Sequence, residues 1–253
     1  MKKRLKKWLL RMILIICLFV GGFCAYQAWQ IYNEDNEVEL QTDKIKKECV
    51  VKKDENGEQI LAPDWNALKA INPDIVGWIY VPDCAISYPV VQFGTNNSYY
   101  LDHTIYKGYN FMGSAFLDCD TNSDFSDDNN IIYGHSVQGG GMFTLLKNFS
   151  SEVFFDSHPD FYLLTPDQNY KCNVFCFSKS NNESVLYTKD FGDERQETIE
   201  RLKNESLYCN EDVDTNTSIV TLSTCDLNYG LHSNRRLLLA GFSEEFDEQI
   251  VIH

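Results

Sequence analysis

Ser218-Ile219-Val220-Thr221-Leu222-Ser223-Thr224-Cys225-Asp226 is a β-branched, apolar run that ends on a thiol and a carboxylate. Such a run, bounded by turn residues, reads as a strand that delivers one potentially reactive side chain at its end. A thiol becomes a nucleophile as its thiolate, so a useful Cys225 needs a cation nearby. Arg235 and Arg236, ahead of Leu237-Leu238-Leu239-Ala240, open the next run and offer one. Upstream, Asn130-Ile131-Ile132-Tyr133-Gly134-His135 has the same design: an apolar strand, a glycine that permits a sharp turn, and an imidazole at the rim. Each part also has an ordinary reading. A lone cysteine is commonly a small buried hydrophobe, a histidine beside glycine a turn residue, and paired arginines a solubilised strand edge.

Around these segments, short apolar runs alternate with turn clusters: Ile75 to Val81, Ser87 to Gln92, Gly113 to Leu117, Phe161 to Thr165, Tyr170 to Ser178 and Ser184 to Tyr187. This spacing predicts a mainly β fold of the sandwich or barrel kind. A short helix is expected after Pro63-Asp64, with Trp65, Leu68 and Ile71 on one face, ending at Asn72-Pro73. A second is expected from Glu194 to Cys209, capped by Asp193, with Ile199, Leu202 and Leu207 inward.

The chain of 253 residues, 43% hydrophobic, has ample material for a core. Six basic residues give the first 33 positions a charge of +6, whereas the remainder carries 16 basic against 37 acidic residues. That acidity argues against nucleic acid, whose binding rests on phosphate neutralisation. Met12 to Ala28 is free of charge and, with Trp8 to Leu10, long enough to cross a bilayer. Basic residues before it and Glu34, Asp35 and Glu37 after it predict a cytoplasmic N-terminus and an extracellular remainder. Gly22-Phe23-Cys24-Ala25 is a poor cleavage site, which favours retention as an anchor over a removed signal peptide. The expected divisions are a basic tip and anchor at 1–31, a polar stalk or loosely packed helix at 32–62, and a catalytic domain at 63–253. Of nine cysteines, seven follow the anchor, and no spacing among them matches a disulfide framework or a zinc site.

Thr221-Leu222-Ser223-Thr224-Cys225 resembles the TLxTC signature of sortases, and Tyr133-Gly134-His135 and Arg235 resemble the segments bearing the sortase histidine and arginine. Asn72-Pro73-Asp74-Ile75-Val76-Gly77-Trp78-Ile79, Tyr88-Pro89-Val90-Val91-Gln92, Gly113-Ser114-Ala115-Phe116-Leu117-Asp118 and Gly141-Met142-Phe143 resemble class B in particular. The resemblance, which spans about 180 residues from Pro63 to Phe242, implies a closed barrel with a short N-terminal helix and a helix inserted before the cysteine strand. It further implies a membrane-anchored cysteine transpeptidase without metal or organic cofactor. Cys225 would attack a C-terminal, Asn-Pro-x-Thr-like sorting signal of a secreted protein, and His135 would move protons. Arg235 would hold the substrate carbonyl or oxyanion. An amine on peptidoglycan or its lipid-linked precursor would resolve the thioacyl intermediate. Strand alternation predicts that if Arg235 faces the site, Arg236 points away. His232 reads as a loop residue, and His103, His158 and His253 as surface or packing residues. The competing readings are a cell-wall cysteine hydrolase of the papain-like kind and a membrane-tethered binding module. The first would set its cysteine at a helix start and before its histidine, the reverse of the order here.

Overall fold

The computed structural model describes residues 2–137, 139–230 and 234–252. Helix α1 (Lys2–Ile45) runs into a wider helical turn, Lys46–Val50, and then a hairpin of β1 (Val51–Lys53) and β2 (Gln59–Leu61). Helix α2 (Trp65–Ile71) starts where the Asp64 carboxylate accepts from the Ala67 N–H at 3.0 Å, the N-cap expected of this sequence. There follow β3 (Ile75–Val81), β4 (Ile86–Val91), β5 (Ala115–Leu117), β6 (Asn129–Tyr133), α3 (Glu152–Ser157), β7 (Asp160–Leu164) and β8 (Asn169–Asn181). The chain ends with α4 (Arg195–Glu205), β9 (Tyr208–Cys209), β10 (Ile219–Cys225), β11 (Arg235–Glu245) and β12 (Ile250–Val251).

Eight strands form a ring in the order β11-β10-β6-β5-β4-β3-β7-β8, closed by antiparallel pairing of β11 with β8, and β9 hangs from β8. The pairs β4/β5 and β6/β10 are parallel and the rest antiparallel. All eight ring strands send apolar side chains into one cluster, Ile132, Val220, Leu222 and Leu239 among them, so the barrel is packed inside. A second cluster joins the outside of β8, β10 and β11 to α4 through Phe175, Ile199, Leu202, Ile219, Leu238 and Phe242. Successive residues of β10 therefore bury on opposite faces, which explains why its sequence is continuously apolar or small.

Within residues 32–62, for which the sequence left a stalk or a loosely packed helix open, Val38, Thr42, Ile45, Cys49 and Val50 are buried, and the Tyr88 hydroxyl donates to Glu39 at 2.6 Å. Burial there follows from a helical stripe that the charged composition conceals, and a boundary at Pro63 would divide the cluster uniting Ile45 and Val50 with Leu68 and Trp78. Ser184 to Tyr187 is a capped 3-10 turn instead of a strand, because the Ser184 hydroxyl captures the Leu186 N–H. Helix α4 stops at Glu205, leaving Leu207 exposed and Cys209 in a strand.

Candidate active site

The parallel pairing of β6 with β10 sets Tyr133 beside Ser223, so the two strands end together. Beyond the ladder the Gly134 N–H donates to the Ser223 carbonyl at 3.0 Å, and the Thr224 hydroxyl donates to the Gly134 carbonyl at 2.7 Å. Ser136 Oγ lies 2.9 Å from the same Thr224 hydroxyl. These bonds hold the two strand ends together, with His135 two residues past Tyr133 and Cys225 two residues past Ser223. Both side chains are half-buried at the rim. His135 Nε2 is 2.7 Å from the Leu101 carbonyl, a contact that requires the proton on Nε2 and leaves Nδ1 as the acceptor of the neutral ring.

Gly134 serves a different purpose from the one its sequence suggests. Its φ is not left-handed. Instead, a Cβ there would meet the buried Phe143 ring at 2.7 Å, and the Phe143 N–H in turn donates to the His135 carbonyl at 3.0 Å. Glycine allows the close approach that ties the histidine segment down.

The register of β10 with β11 sets where the two arginines stand. The observed register makes Arg236, not Arg235, the Cα partner of Cys225, and directly opposed residues share a face. Arg236 is half-buried, and its Nη1 donates to the Arg235 carbonyl at 3.1 Å. Arg235 is exposed, with its guanidinium 5.5 Å from the centre of the Tyr229 ring. Its carbonyl accepts from the N–H of buried Asp226 at 3.0 Å, so both arginines are fastened beside the cysteine. The pairing of β10 with β11 continues without a bulge to Cys225.

Sequence reasoning missed the cover of this rim. The Tyr187 hydroxyl is 2.8 Å from Ser223 Oγ, and its ring stacks on Tyr133 at 6.3 Å. Burial raises the Tyr187 phenol, so it stays neutral. Lys189 donates to Asp118 at 2.7 Å and to Asp120 at 3.1 Å, and the Tyr133 hydroxyl donates to Asp118 at 2.9 Å. Burial pushes the Asp118 carboxyl up, but the bonds from Lys189, the Asp120 backbone and Tyr133 outweigh it and hold the group below the ordinary carboxylate range. Asp118, Cys119 and Asp120 have ligand-type atoms within 4.8 Å of one another, yet a lysine ammonium already occupies the place a cation would take. No sequence spacing announced these partners, which come from separate loops.

The remaining histidines and thiols are differently placed. His103 stacks on Tyr99 at 4.3 Å and His158 on Phe154 at 3.7 Å. His232 and His253 lie outside the described residues. Burial pushes the Cys84 thiol up to about 12, and it raises Cys172 as well, which makes both inert at neutral pH.

A closed eight-stranded barrel that ends a thiol strand and a histidine strand at one rim, with guanidinium groups alongside, defines a cysteine transpeptidase of the sortase type. No family model matches the chain. Sortase B of Listeria monocytogenes is 29% identical over 236 residues, covering 88% of this chain and 93% of the relative. Sortase B from Bacillus anthracis, solved in complex with AAEK2, is 30% identical with a TM-score of 0.70, covering 85% of this chain and 98% of that one. A Staphylococcus aureus sortase B–substrate complex superposes with a TM-score of 0.71 at 25% identity, covering 85% and 99%. The chain belongs to the class B sortases and is a cysteine transpeptidase. The fold class expected from the sequence is the one observed.

Proposed function

We propose that Cys225 is the nucleophile, His135 the proton-transfer partner and Arg235 the guanidinium that holds the substrate carbonyl. The observation that carries this is the bonding of Thr224 and Ser223 to Gly134, which holds together the ends of the two adjacent strands that lead to Cys225 and His135. Cys225 attacks the scissile carbonyl of a sorting signal, and His135 protonates the leaving amine. The imidazole then takes a proton from the incoming amine, which releases the product from the thioester. A fixed guanidinium supports the charge that develops on the carbonyl oxygen. For that last role the register favours a second reading, Arg236, which is the Cα partner of Cys225.

The substrate is proposed to be a secreted protein with an Asn-Pro-x-Thr-like signal, and the acceptor an amine of peptidoglycan or its precursor. The Staphylococcus aureus complex with substrate supports the general form of this reading. Helix α1 contains a window long and apolar enough to cross a membrane, and none of that window is buried. It supports an anchor within 1–31, cytoplasmic at its N-terminus, with the catalytic domain outside the cell. The packing of residues 38–61 on the barrel makes them part of that domain in this proposal. The test is mass spectrometry of Asn-Pro-x-Thr and Leu-Pro-x-Thr peptides incubated with the full chain, with and without a diglycine or diaminopimelate amine. Cleavage after Thr and an amine-linked product are expected. Hydrolysis alone, unchanged by any amine, would contradict the acceptor assignment.

A further inference from the structure

Cys176 of β8 and Cys209 of β9 are Cα partners in an antiparallel pair, and their Sγ atoms stand 2.6 Å apart. Both thiols are free in this structure. The separation is about half an ångström beyond the ~2.05 Å of a disulfide bond. The Asn210 N–H donates to the Phe175 carbonyl at 2.7 Å, so the flanking pair carries the hydrogen bond. Cys176 and Cys209 are then a non-hydrogen-bonded pair, whose Cα atoms sit about 4.5 Å apart, within the roughly 4.4–6.8 Å span of bridged cysteines. No backbone movement is needed to join them.

We propose that Cys176 and Cys209 form a disulfide that staples the segment inserted before the cysteine strand onto the barrel. The oxidant is a small-molecule or protein disulfide, to which cell-surface enzymes are exposed. Cys176 is fully buried whereas Cys209 is half-exposed. The Cys176 hydrogen bond, then Ser206 and the Lys203 charge, draw the Cys209 thiol down against its burial, so Cys209 ionises first. Its thiolate attacks the oxidant's disulfide, forming a mixed disulfide and expelling one thiolate. Cys176 then attacks the Cys209 sulfur, expelling the second, and the protons of the two cysteines pass to the two departing sulfurs. The cysteines lose two electrons and the oxidant gains them.

The bond would act on the active-site cover. The excursion from β8 to β9 carries the turn with Tyr187, and its two ends are already joined: the Glu205 carboxylate accepts from Ser184 Oγ at 2.8 Å and the Val185 N–H at 3.1 Å. The Ser178 hydroxyl on β8 donates to the Glu205 carbonyl at 3.2 Å. A covalent link at Cys209 fixes this excursion where it leaves α4.

The test uses the full chain in detergent, incubated with oxidised glutathione or with dithiothreitol, then alkylated and digested without reduction. Oxidation should yield one peptide pair joined through Cys176 and Cys209, with Cys84 and Cys172 alkylated after unfolding. It should also raise Tm by roughly 5–10 °C for closing a loop of this length. Cys209→Ser should lack the pair and show the same Tm under both conditions. If that variant does not fold, the oxidised and reduced parent proteins supply the comparison alone. Recovery of both cysteines alkylated, arrest of Cys209 as a glutathione adduct, or a cross-link without a rise in Tm would each overturn the proposal.

Discussion

Ile219 to Leu222 and Ser223 to Asp226 are consecutive stretches of the chain, yet they are held by different physics. In the first, Val220 and Leu222 fill the barrel while Ile219 packs on α4, and all three are fully buried. In the second, Ser223, Thr224 and Asp226 are held by hydrogen bonds to Tyr187, Gly134 and Asn228, with a half-buried thiol between them. Apart from Thr221, whose hydroxyl donates to the Asn129 side chain at 2.7 Å, volume specifies the first stretch and directional bonds specify the second. Substitutions inside should therefore cost stability, and substitutions at the rim should cost rate.

His135→Ala tests the rim most severely. Loss of a positioned acid–base group removes about 10²- to 10⁴-fold in rate, and Tm should stay close to the parent's because the ring is half-buried. Stopped peptide cleavage with an unchanged melt is expected; a large drop in Tm would show the rim to be structural after all. The arginines follow. Arg235→Ala should lower the cleavage rate by about 10²- to 10³-fold, as loss of a fixed oxyanion donor does, while Arg236→Ala stays within a few-fold. The reverse result would assign the role to the residue that the register sets opposite Cys225, leaving the fold and family untouched.

Leu222→Ala should invert the pattern. A void in a packed barrel costs about 2–5 kcal/mol of stability, and the rate per folded molecule should hold, measured by denaturant titration beside kinetics. Equal losses in both would erase the distinction between the two stretches. The smallest effect is the acid response of Asp118. Its folded carboxyl titrates below the unfolded value of about 3.9, so its stabilisation is fully present above that pH and fades as pH falls through the lower folded value. Asp118→Asn should flatten the stability curve below about pH 4, and an unaltered curve would show that the Lys189 bond adds no acid-sensitive stability.

The sequence made the barrel legible because its strands carry local signals: the strand predicted from Ile75 to Val81 is observed over those residues, and the run ending at Cys225 forms β10. The thiol and imidazole were legible for the same reason, each ending a strand of its own. What stayed hidden depended on distant pairing. Tyr187, Lys189 and the Cys176–Cys209 juxtaposition arise from register and loop return, which no local spacing encodes. The N-terminal packing had a signal, Val38, Thr42, Ile45 and Cys49 at helical intervals, but the surrounding charges masked it. The choice between the two arginines was not legible because alternation fixes only relative facing, and the register that anchors it is set by the partner strand.

The central claim is that Cys225 carries the acyl group, and intact-mass spectrometry of the full chain with an Asn-Pro-x-Thr peptide in the absence of amine tests it most directly. The account predicts an adduct of the peptide's N-terminal fragment that maps to Cys225, disappears when amine is added, and is missing from a Cys225→Ala protein that still melts like the parent. An adduct on Cys84 or Cys119, or cleavage that survives Cys225→Ala, would contradict it.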